Sequence, residues 1–118
     1  MSEDWKMEYD GRQHQLMTTQ LQQYEEGKLG LALLIANLKA LLGALESPDE
    51  SWRDSFRSEW GTLEAVYAMA LFRKEQSLVP DVQTTINDPS NRALIDEAIR
   101  NMRRLLEMVE KSTGEGHG

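Results

Sequence analysis

The apolar residues of this chain fall into helical stripes separated by short polar breaks. From Leu31, the residues Leu34, Ile35, Leu38, Leu41, Leu42 and Leu45 follow in steps of three and one, which keeps them on one side of a helix. The other side carries Ala32, Ala36, Ala40 and Gly43, with Asn37 and Lys39 the strongly polar exceptions. Small side chains let neighbouring backbones come close, so this second of four predicted helices is expected to be central and covered on more than one side. A third helix follows. Trp52, Phe56, Trp60, Leu63, Tyr67, Ala70 and Leu71 share a sector of about 100° at the helical period. Arg53, Arg57, Glu59 and Glu64 stand among and beside them. These rings are therefore expected in the core and not around an open pocket.

Punctuation between the stripes agrees. In S-P-D-E, Ser47 is the expected cap, Pro48 takes the first turn where no amide donor is needed, and Glu50 can close a capping box. The fourth helix repeats the device with Asp88 and Pro89, then runs through Leu94 or Ile95, Ala98, Ile99, Met102, Leu105, Leu106 and Val109. The first helix, from about Arg12 to Glu26, rests on Met17, Leu21 and Tyr24 and stops at Gly27.

Three segments remain. Trp5, Met7 and Tyr9 alternate, which predicts an extended arm laid against the core. Lys74 to Asn87 is long for a connection in a small bundle, and its Leu78, Val79, Val82 and Ile86 predict that it lies down on the helices. After Lys111 the run STGEGHG has nothing to bury. No strand pair, internal repeat or low-complexity segment intervenes. The expected fold is all-α, a single-domain four-helix bundle over residues 1–118, with a long third connection. Its ordered core would cover about 12–111, with flexible termini including a tail at 112–118.

Composition narrows the function classes. A chain of 118 residues with 28% charged and 40% hydrophobic residues suits one globular domain. The absence of cysteine excludes a disulfide framework and a thiolate metal site, and makes a reducing cytoplasm the expected location. MSEDWKMEYD has four acids and one Lys, unlike a signal peptide. LGLALLIANLKALLGAL is one-sided, carries Asn37 and Lys39, and is short for a bilayer, so no membrane partner is expected. A net charge of −7 disfavours nucleic acid and steers basic partners, although acidity also serves solubility alone.

Catalytic chemistry finds little support. The histidines are His14 and His117, and neither Glu-x-x-His nor His-Glu-x-x-His occurs, so neither metal nor other cofactor is expected. A nucleophile elbow and a phosphate loop are also missing. Glu59 and Glu64 beside Trp60 and Tyr67 are the strongest catalytic pair, yet five positions set them about 140° apart on a helix. Arg100, Arg103 and Arg104 are interleaved with Asp96, Glu97, Glu107 and Glu110, so they offer phosphates no uncompensated basic face. Asp96–Arg100 has the favourable ion-pair order, as does Asp49–Arg53.

What remains is a surface for binding protein. The densest helical acid cluster is Glu46, Asp49, Glu50 and Asp54, part of which also complements the start of a helix. Arg57 and Glu64, with Trp60, either form part of a recognition patch on the third helix or serve only as charges that flank and solvate its packed face. Exposed aromatics outside the core stripe, Trp5 or Tyr9, are the expected anchors.

The run I-x-N-L-x-x-L-L-x-x-L-E from Ile35 to Glu46, then E-S-W-R-D-S-F-R-S-E-W-x-x-L-E-x-V-Y-A-x-A-L from Glu50 to Leu71, resembles small acidic helical proteins of bacterial polymorphic-toxin loci. Those are immunity proteins for contact-dependent growth-inhibition toxins, and the likeness spans roughly Tyr24 to Leu71. It implies a non-catalytic partner for a basic toxin domain, a nuclease whose phosphate cleft an acidic protein can cover. Two rivals stand beside it. One is a helical adaptor that forms a homo-oligomer through the small-residue side of the second helix. The other is an enzyme using Glu59 or Glu64.

Overall fold

A computed structural model of the chain describes residues 4–46 and 49–115, with side chains described over 5–46 and 49–109. Five helices follow one another: α1 (Asp4–Glu25), α2 (Leu31–Gly43), α3 (Glu50–Glu75), α4 (Val82–Ile86) and α5 (Pro89–Glu115). The four long ones form a ring in which α1 packs on α2, α2 on α3, α3 on α5, and α5 back on α1. The diagonal backbones stay apart. Gln20 faces Asn37 and Asp10 faces the amide of Glu46, so α1 and α2 are antiparallel. Trp52 meets Leu105 and Glu59 meets Asn101, which sets α3 and α5 antiparallel as well. The fold is therefore an all-α, up-and-down four-helix bundle with a fifth, one-turn helix in its last connection.

Every stripe supplies the core: Met17 and Leu21 from α1, Leu34 and Leu38 from α2, Phe56 and Leu63 from α3, and Ile95 and Met102 from α5 are shut from solvent. On α3 the buried face is turned from its expected centre. Val66 joins Trp52, Phe56, Leu63 and Ala70, while Trp60, Tyr67 and Leu71 are half-buried at its edge. Both indoles still spend their N–H groups inside the bundle. Trp52 Nε1 donates to the Leu105 carbonyl at 2.8 Å, and Trp60 Nε1 to that of Ile35 at 2.9 Å. A buried Trp needs such a partner to offset desolvation.

Several expectations change. Residues 4–10 are helical, not an extended arm, so α1 begins eight residues before Arg12. Asp10, buried and accepting the Glu46 amide, ties this part of α1 to the end of α2. The helix α2 is not central. Ala32, Ala36, Ala40 and Gly43 are exposed, because α2 has two neighbours like every other member of the ring. The cap of α3 is Asp49, whose carboxylate accepts the Trp52 amide at 3.0 Å; Ser47 and Pro48 lie outside the described residues. Asp88 and Pro89 do open α5, where Asp88 accepts the Ser90 amide at 3.0 Å. That helix continues to Glu115 past the expected stop at Lys111, and 116–118 lie outside the described residues.

The connection after α3 lies down only in part. Ile86 is buried and Val79 and Val82 are half-buried, but Leu78 is 61% exposed. Trp60 is level with Ile35, close to the start of α2, whereas α3 continues to Glu75. The shorter α1–α2 hairpin thus covers only part of the α3–α5 hairpin. Helix α4 covers the rest, and a step is left between them.

Candidate functional site

Of the expected partner-binding residues, all but Glu64 gather around the α2–α3 junction, and α1 joins them there. Asp10 is 6% exposed, and its Oδ1 accepts the Glu46 backbone amide at 2.8 Å. This bond holds the end of α2 against α1 and fixes where the junction chain begins. Ahead of Asp10, α1 still has its first turns, so Trp5 stands about 7.5 Å further along the axis at the helical rise. Trp5 is 55% and Met7 58% exposed, while Tyr9 is half-buried. The Lys6 ammonium lies 5.8 Å from the Trp5 ring centroid and the Arg12 guanidinium 5.9 Å from that of Tyr9.

Glu46, Asp49, Glu50 and Asp54 are all exposed. No ion pair among the described residues reaches any of them, whereas Lys28–Glu26, Arg92–Asp96 and Arg103–Glu25 pair near the opposite end of α1. Asp49 is engaged as the α3 cap, and Glu50 lies in the first turn, where carboxylates complement the exposed amides. The expected Asp49–Arg53 pair does not form. Arg53 is half-buried instead, with its Nε enclosed and without a hydrogen-bond partner. Arg57 is exposed one turn beyond Asp54. Glu64 is also exposed, but ten residues of α3 place it about 15 Å beyond Asp54 at the helical rise, so it stands apart from the junction.

Helix geometry also separates the carboxylates weighed for catalysis. Glu59 is half-buried and accepts from Asn101 Nδ2 at 3.2 Å, while Glu64 faces solvent. The rings between them are packed, with Trp52 stacked on Phe56 at 5.1 Å and met edge-on by His14 at 5.1 Å. Among the described residues, no three His, Asp or Glu side chains converge as metal ligands. Nor is any described helix long and apolar enough to cross a membrane.

Sequence reasoning missed Asp10 as the organiser of this end. No local pattern marks a carboxylate whose partner is 36 residues away. Trp5 falls outside every core stripe and is exposed, as that position predicts. The class defined is thus an all-α bundle whose unpaired acids and exposed aromatic share one end. Compared with known proteins, the chain matches no family model, no curated protein and no solved structure.

Proposed function

We propose that the protein is a non-catalytic binding partner that captures a basic protein domain through its α1–α2–α3 end. Unpaired Glu46, Asp49, Glu50 and Asp54 supply the attraction, and Trp5 supplies an apolar anchor. The observation that carries this reading is the buried Asp10–Glu46 bond, which brings the exposed start of α1 to the acidic junction. Charge steers encounter and raises association toward ~10⁸ M⁻¹s⁻¹ at low salt, whereas a few desolvated side chains set the lifetime. The resemblance of residues 35–71 to immunity proteins names the kind of partner, a nucleic-acid-cutting toxin domain with a basic cleft, met in the cytoplasm.

The test is co-expression with the C-terminal domain of a toxin encoded beside this chain, followed by stopped-flow association of the purified pair. Growth rescue is expected, with an on-rate that falls as salt rises. Replacing Glu46, Asp49, Glu50 and Asp54 by their amides should slow association at least about tenfold at low salt and flatten its salt dependence. Absence of rescue, or an on-rate indifferent to these charges, removes the proposal.

A second reading, homo-association, rests on the open side of α2. There Ala32, Ala36, Ala40 and Gly43 are exposed beside Leu33, itself 58% exposed. Sedimentation equilibrium decides it: a monomer at every concentration leaves only the first reading.

A further inference from the structure

The step between the two hairpins is a cleft of about 880 Å³. Its walls are the α1–α2 turn, α4 and one face of α5, and buried Leu31, Ile86 and Ile99 border it. That volume lies within the range of small-ligand sites. Three cations and two acids line it: Lys28, Arg92 and Arg100 against Glu25 and Asp96. Both acids are already answered. Glu25 pairs with Arg103, and Asp96 with Arg92 at 3.5 Å. Arg92 is fixed further by donating to Tyr24 Oη at 2.9 Å, and Lys28 reaches Glu26 at 3.1 Å.

Asp96 therefore pairs with Arg92 and not with Arg100, the partner its sequence spacing suggested. Arg100 is left with no hydrogen bond or ion pair among the described residues. Across the cleft, Gln83 Nε2 donates to Asn87 Oδ1 at 2.9 Å. The side-chain carbonyl of Gln83 and the side-chain amide hydrogens of Asn87 have no hydrogen bond among the described residues.

From this geometry we infer that the cleft binds a single organic carboxylate flanked by a neutral hydrogen-bonding group. A guanidinium matches a carboxylate with two parallel N–H···O bonds. One net positive charge in the lining suits one carboxylate better than a phosphate dianion. The side-chain amides of α4 meet the neighbouring amide or hydroxyl. A free small acid and the carboxy-terminus of a peptide share this chemistry. The site is separate from the acidic end and does not depend on the reading given for it.

The experiment is an amide-shift titration of the full chain with N-acetylglycine, and with N-acetylglycinamide as its uncharged twin. Saturable shifts at Gly30, Asn87 and Arg100 are expected with the acid alone, at millimolar concentration. Arg100→Gln should weaken binding by about tenfold, and Lys28→Gln by less, with thermal unfolding unchanged because Arg100 is exposed and unpaired. An N-acetyl tripeptide with a free carboxy-terminus identifies the source. Tighter binding than N-acetylglycine assigns the cleft to chain ends, and equal binding assigns it to a free acid. Equal shifts with the uncharged twin, no saturable shift, or unchanged affinity in Arg100→Gln would overturn the inference.

Discussion

The two ends of the α1–α2 hairpin are held by opposite means. At one end a buried carboxylate, Asp10, takes the Glu46 amide, and among the described residues no ion pair reaches Glu46, Asp49, Glu50 or Asp54. At the other, the turn is held from outside: Arg92 reaches Tyr24, Arg103 reaches Glu25, and Arg92 also takes Asp96. The first arrangement centres on an enclosed carboxylate and leaves the neighbouring acids of the junction facing solvent. The second spreads its order over half-buried and exposed groups near the surface, where ion pairs are each worth little. An acidic protein can thus keep one end electrostatically open and the other internally compensated.

The common core is the control for this contrast. Phe56→Ala should cost about 3–5 kcal/mol in urea unfolding and raise hydrogen exchange at both ends alike. Exchange confined to one end would break the picture of a single cooperative bundle. Asp10→Ala comes next. Stranding the Glu46 amide should cost about 1–3 kcal/mol, with amide protection lost over residues 5–9 and at Glu46 while the cleft keeps its protection. Loss at the cleft as well would mean that the ends are not separately held.

Two helix stops sharpen the comparison further. After α1, Gly27 at φ 79° donates to Tyr24, and Lys28 donates to the Gln23 carbonyl. After α3 the same pair of bonds is built on Ser77 at φ 60°, with Leu78 donating to Arg73. Space is open around Gly27, so Gly27→Ala should cost only the backbone strain, about 1 kcal/mol. Ser77→Gly should relieve the same strain and stabilise by about 0.5–1 kcal/mol. A matched pair of thermal melts reads both.

The smallest effect is at α4. Thr84 donates its hydroxyl and then its backbone amide to Asp81, which holds that carboxyl below its ordinary value. A carboxyl depressed in the folded state stabilises above its unfolded value and loses that contribution as pH falls through the folded one. The penalty of Asp81→Ala should therefore be full at neutral pH and fade below pH 3.8, measured by urea unfolding across that range. A penalty that does not change with pH would assign the cap to Thr84 alone.

Much of the bundle was legible in the chain because periodicity reports burial directly. The stripes of α2 and α5, the Gly27 stop and the Asp88–Pro89 start all follow from neighbours within a few residues. Reading α2 as central failed for a physical reason. Alanine tolerates both solvent and close packing, so a small-residue face does not say which it meets. The candidate site was half legible: Glu46, Asp49, Glu50 and Asp54 are near in sequence and stay together. Glu64 was drawn in by a shared helix although the rise along α3 carries it away.

The sequence by itself determined four amphipathic helices, their order, and an acidic junction between the second and third, since local spacing and capping suffice for each. Only the tertiary structure decided that α1 reaches that junction through Asp10, that Asp96 turns to Arg92, and that a cleft opens where hairpins of unequal length meet. Those features depend on pairings across long stretches of chain and on how far one hairpin overhangs the other. No window of neighbouring residues contains either quantity.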